Sequence, residues 1–120
     1  MEAPGERARG LIELVLQRTE PRRHEIVAEA LRDPDVDVLS TAAALLARIG
    51  TPSAVRHLLV LALRNDAHAA RRVVAIWALG HLPFASAEAC AALRKLSASP
   101  EPWVRSVARD TLRELARGPV

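Results

Sequence analysis

Aromatic residues are nearly absent from this chain. Two tryptophans, one phenylalanine and no tyrosine occur in 120 residues, which leaves little for the stacking platforms that hold single-stranded nucleic acid. The core must then come from Ala, Leu and Val, small and branched side chains suited to helices packed at close range. Cysteine occurs once, at Cys90. No intramolecular disulfide can form, and a cytoplasmic setting is expected. The five glycines are scattered, so no phosphate-cradling loop exists. No apolar run approaches the ~18 residues of a membrane span. The opening MEAPGERARG is charged and lacks the apolar stretch of a secretory leader. His24, His57, His68 and His81 include no i, i+4 pair, and no Cys or carboxylate stands at ligand spacing, so neither a metal nor another cofactor is expected. Cys90 has no base near it in sequence and reads as a small, partly buried side chain. Nothing resembles a nucleophile elbow, and no enzymatic activity is expected.

What the chain does have is helical periodicity. Residues 33–66 read as two short helices joined by Gly50-Thr51-Pro52. Asp33-Pro34 has the form of an N-cap followed by Pro at the first helical position. Asp35 and Asp37 then favour the positive end of the helix dipole. Val38, Ala42, Leu45, Leu46 and Ile49 make one apolar face. Gly50 can take the left-handed conformation that ends a helix. Thr51-Pro52 repeats the start signal, and Val55, Leu58, Leu59 and Ala62 supply the second apolar face.

The unit recurs. A shift of 33 residues carries Ala42, Leu46 and Ile49 onto Ala75, Leu79 and Leu82, and a second such shift onto Ala108, Leu112 and Leu115. The outer column is looser: Val38, Arg71, Val104. Upstream, Ala8, Leu11, Ile12 and Val15 match at 34. The second helices align similarly, with Ile26-Val27 and Ala92-Leu93 on Leu58-Leu59. One helical pair cannot bury its apolar face alone, so stacked pairs are expected. Helices are predicted over about 6–17, 21–32, 35–49, 52–64, 67–82, 86–97 and 102–117, after a loose arm at 1–5, within one domain. Asp66 and Ser86 are the expected caps of the fifth and sixth.

The run Val38-Leu39, Ala42, Leu45-Leu46, Ile49-Gly50-Thr51-Pro52, Ala54-Val55, Leu58 resembles the HEAT repeat, in particular the short bacterial HEAT-like class named from phycobilin lyases. Ala78-Leu79-Gly80 and Val104-Arg105 carry other pieces of that pattern. Thr51 stands where the family prefers Asp, and Pro83-Phe84-Ala85 departs from its Gly-Asp-Pro corner. The resemblance covers 33–117 well and 5–32 weakly. It implies an all-α, right-handed α-α superhelix of about seven helices. It also implies that Arg72 and Arg105 are structural, paired with a corner Asp such as Asp33 or Asp66.

In such a solenoid the second helices line the concave face. The exposed row of the central one is Arg56, Val60 and Arg64; the aligned rows are His24, Ala28, Arg32 and Cys90, Arg94, Ala98. Arg32, Arg56, Arg64 and Arg94 are therefore expected along one surface, with Lys95 beside it. From Arg48 to Lys95 seven basic residues face two acidic ones. A partner protein with an acidic or amphipathic segment fits this stripe. Nucleic-acid backbone binding, as the resemblance to HEAT-like alkylpurine DNA glycosylases would suggest, is an alternative. A formal net charge of only +3 argues against it, as does the scarcity of aromatics. The bias to Arg, sixteen of seventeen basic residues, is what a GC-rich genome produces and is by itself weak evidence for a nucleic-acid partner. A lyase-accessory role and a self-assembling scaffold are further alternatives. Trp77 falls in an outward column and is a candidate interface anchor. Trp103, after Pro102, is expected to plug the corner before the last helix.

Overall fold

The computed structural model describes residues 3–17, 22–64, 68–83 and 86–117. Among them are seven α-helices and no strand. They are α1 (Pro4–Leu16), α2 (Arg23–Glu29) continued by a 3-10 turn (Ala30–Arg32), α3 (Val36–Ile49), α4 (Pro52–Leu63), α5 (Ala69–Leu79), α6 (Ala87–Leu96) and α7 (Pro102–Arg117). The all-α class agrees with the sequence. The chain is folded twice over itself in two layers. In one, α1 packs on α3, α3 on α5 and α5 on α7; in the other, α2 packs on α4 and α4 on α6. The layers are joined most extensively where α4 meets α5. The radius of gyration is 13.9 Å, close to the roughly 13.6 Å that N^0.38 scaling gives a globular chain of this length.

Local chemistry explains most of the helix ends. Thr51 accepts from the Ala54 amide and Ser86 from the Ala89 amide, both at 3.2 Å, so each N-cap hydroxyl satisfies an amide the helix cannot. Gly50 closes α3 at φ 67°, a left-handed backbone that any Cβ would strain. Pro4, Pro52 and Pro102 each open a helix, where a missing N–H costs nothing. Because Pro4 occupies the first helical position, α1 starts inside what the sequence reads as a loose arm.

Three expectations are displaced. The cap of α3 is Asp35, which accepts from the Asp37 and Val38 amides at 2.9 and 3.2 Å; Asp33 is not. Pro34 holds Asp33 extended (φ −61°, ψ 135°), and its carboxylate turns to Arg7 of α1 in a two-point pair of 2.9 and 3.2 Å. The cap of α5 is His68, whose Nδ1 accepts from the Ala70 amide at 3.3 Å, and α5 begins at Ala69; Asp66 lies outside the described residues. Trp103 plugs no corner and is 71% exposed. The buried stripe of α7 is Val104, Ala108 and Thr111, and a residue one position ahead of Val104 points about 100° away from that stripe.

The core is aliphatic. Ala42, Ala75 and Ala108 are fully buried, as are Leu46 and Leu79. Ile49, Leu82, Leu112 and Leu115 are half-buried against them. The alanine column lets neighbouring helices approach closely. Gly80 does the same at the α5–α7 contact: a Cβ there would stand 3.0 Å from the Thr111 methyl.

Two arginines bind the layers together. Arg72 is 2% exposed; its Nε donates to the Ala62 carbonyl at 3.2 Å and its Nη1 to Glu101 at 3.1 Å. It thereby ties α5 to the end of α4 and to the approach to α7. Its buried, bridging position suits a structural role; the carboxylate it meets is Glu101 and not Asp33, which pairs with Arg7, while Asp66 lies outside the described residues. Arg71 donates to the carbonyls of Leu31 and Asp33, and Arg105 to that of Ser99 at 3.0 Å.

Candidate interaction grooves

Three of the shallow grooves formed by the described residues bear on function. The first, about 280 Å³, lies between α2 with its 3-10 turn and α4. Val60, Leu61 and Ala28 make its floor; Arg32, Arg64 and His57 stand with Glu25 and Glu29 around it. The exposed row of α4 produces this arrangement. Positions 60 and 64 are one turn apart, and the i+7 and i+8 spacing of Ala54, Leu61 and Ala62 turns the opposite side inward. Val60 is left 56% exposed.

The sequence-derived stripe is thus partly assembled. Arg32, Val60 and Arg64 meet in one groove. Arg56, also exposed on α4, does not line it, nor do Arg94 and Lys95, exposed in the last turn of α6. Glu25 and Glu29 share the groove, which the stripe reading missed. They stand at i, i+4 on α2, one position along from His24 and Ala28, and Glu25 is paired with Arg22 at 3.1 Å. Trp77 is in a different place altogether.

The second groove, about 300 Å³, is floored by Ile12, Val15, Leu16, Leu45 and Ile49 and edged by Arg23 and Arg48. The repeat alignment puts Ile12 on fully buried Leu46, but Ile12 is exposed and Leu16 is 75% exposed. Among the described residues α1 packs on α3 and α2, and neither covers the edge that carries Ile12 and Leu16. Arg23 is held at the edge by donating to the Val15 carbonyl at 3.0 Å.

The third groove, at about 540 Å³ the largest of these three, lies between α5 and α7 and is lined by Trp77, Gly80, His81, Val107, Asp110, Thr111 and Glu114. Trp77 is 43% exposed, and its ring centroid is 4.4 Å from that of His81 at 48°. The His81 Nδ1 is 3.0 Å from the Trp77 carbonyl. A carbonyl only accepts, so Nδ1 carries a hydrogen and the imidazole is pinned beside the indole. The Asp110–Glu114 spacing on α7 was visible in sequence, but nothing there placed it opposite Trp77.

One perturbed titration among the described residues, that of Asp33, lies away from these grooves. The Asp35 amide first, then Arg7, hold the Asp33 carboxyl below its ordinary value of 3.8, against a smaller opposing effect of burial. Among the described residues no three His, Cys, Asp or Glu side chains converge as a metal site would require. Cys90 is half-buried and unbridged. No described helix is long and apolar enough to cross a membrane. In comparisons with known proteins, no family model matches the chain and no curated protein matches it.

Proposed function

We propose that the chain is a non-catalytic interaction module of HEAT-like helical repeats, and that it binds an acidic, amphipathic segment of a partner protein in the α2–α4 groove. The meeting of Arg32, Val60 and Arg64 in that groove carries the reading. An apolar floor suits the non-polar edge of a helix or strand, and a guanidinium fork suits a carboxylate. Arg56, Arg94 and Lys95 add positive potential around the groove, which speeds encounter more than it tightens binding. The repeat is supported by the equal burial of Ala42, Ala75 and Ala108. Glu25 and Glu29 share the groove, so the segment it fits sets its carboxylates at Arg32 and Arg64 alone, which a uniformly anionic ligand such as nucleic acid does not do.

The test uses a labelled helical peptide with Leu on one face and Glu along the polar edge, followed by fluorescence anisotropy. Saturable binding is expected. Arg32→Glu should weaken it about tenfold, a loss of ~1.4 kcal/mol. Arg56→Glu should change mainly the association rate and its salt dependence. If the peptide does not bind while duplex DNA does, with an affinity that falls steeply with salt, the groove belongs to nucleic acid.

The exposed Ile12 and Leu16 favour a second reading, association of copies through that face of α1. Light scattering over a concentration series tests it: a mass that rises with concentration and returns to monomer in Leu16→Glu supports self-assembly. A constant monomer mass overturns it.

A further inference from the structure

We propose that the groove between α5 and α7 is a receptor for a basic side chain, Arg or Lys, carried by a polypeptide partner. It does not depend on the α2–α4 reading: it uses different helices and different side chains. The first argument is electrostatic. Both charged residues in the lining, Asp110 and Glu114, are carboxylates, on a chain whose formal net charge is +3. They stand at i, i+4 on α7 and so share a face. This is an acidic recess on a basic molecule, and a cationic segment is steered to it and away from the rest of the surface.

The second argument is the aromatic wall. The indole of Trp77 is the best natural acceptor for a cation over a ring face. It is held by His81 from one side while remaining 43% exposed. Val107 and Thr111 complete a floor for the aliphatic stem of the incoming side chain. A recess of about 540 Å³ holds a long side chain together with some of its backbone.

The third argument concerns competition. Asp110 and Glu114 pair with Arg113 and Arg117 at 3.5 and 3.3 Å. All four side chains are exposed, and surface pairs of this kind contribute little. An arriving guanidinium that also covers the indole displaces them at small cost. The arrangement of carboxylates with Trp77 therefore favours an external cation over the chain's own.

The test reads Trp77 directly. In a Trp103→Phe background Trp77 is the sole indole, and since Trp103 is 71% exposed the replacement leaves the fold intact. The probe is a short blocked peptide with Arg spaced by Gly. Saturable change in Trp77 emission is expected. It should weaken about tenfold when each Arg is replaced by citrulline, which keeps the shape and removes the charge. The Asp110→Asn, Glu114→Gln double variant should weaken the Arg peptide by a similar factor, with helical circular dichroism unchanged. Equal response to the citrulline peptide, an unaltered affinity in the double variant, or no saturable change would overturn the proposal. Argininamide binding as tightly as the peptide would also overturn it, making this a small-molecule site. Emission that changes on dilution without any peptide would assign the groove to a second copy instead.

Discussion

At the scale of single residues, the most consequential side chain is Arg72. A guanidinium removed from water is tolerable only with partners in place, and here the Ala62 carbonyl and Glu101 provide them. Replacing it with Met keeps the volume but leaves the Ala62 carbonyl without its donor. Arg72→Met is expected to cost about 1–3 kcal/mol, read as a lowered midpoint in urea unfolding. Arg72→Lys should recover only part of this, because one ammonium cannot reproduce the fork that serves two acceptors. Asp33 offers a pH-dependent counterpart. Its folded-state pKa is depressed, so the stability it contributes is present above the unfolded-state value and is lost as pH falls through the folded one. The wild type should lose melting temperature below about pH 4 more steeply than Asp33→Asn, and the two curves should converge at the acid end.

At the scale of helices, the α5–α7 contact makes the sharpest prediction. Gly80→Ala sets a methyl 3.0 Å from the Thr111 methyl and should destabilise by about 1–2 kcal/mol. Adding Thr111→Ser, which deletes the opposing methyl, should restore most of the loss. A double-mutant cycle measures this coupling, and additive effects would show that the two groups do not collide. The helix ends also separate what could be read in advance from what could not. Thr51, Ser86 and Gly50 act on backbone groups within a turn of themselves, so their residue types suffice to locate the ends of α3, α4 and α6. The start of α3 was different. Asp33 and Asp35 flank Pro34 and either could cap; the choice is settled by Arg7, 26 residues earlier in the chain, which no local pattern contains. His68 was equally hidden, because His is an uncommon cap and Asp66 looked the better one.

At the scale of the whole molecule, periodicity revealed the all-helical class and much of the core, because burial on each helix follows its own spacing. It could not reveal the grooves. Those arise where helices distant in sequence converge: Glu29 on Val60, Ile12 on Leu45, Trp77 on Glu114. Reading one row per helix captured Arg32, Val60 and Arg64 but omitted the adjacent Glu25 and Glu29. Treating all repeats as equivalent buried Ile12, although no described helix covers that edge of α1. The two grooves together predict opposite preferences, one through Arg32 and Arg64 and the other through Asp110 and Glu114. Charge reversal at Arg32 should weaken an acidic peptide and leave a basic one unaffected. Neutralising Asp110 and Glu114 should do the reverse, with both affinities measured on the same preparations.

The bidentate grip of Asp33 on Arg7 has a dynamic consequence. Among the described residues helix α1 packs on α3 and α2, and the Arg7 clasp is a polar tie that adds to this apolar contact. Protonating Asp33 loosens that tie while the α4–α5 junction stays intact. In deuterated buffer of falling pH, after correction for the intrinsic exchange rate, the amides of residues 8–16 should lose protection before those of α4 and α5. The amino-terminal helix would then detach as a separate unit while the remaining helices hold their deuterium-free core.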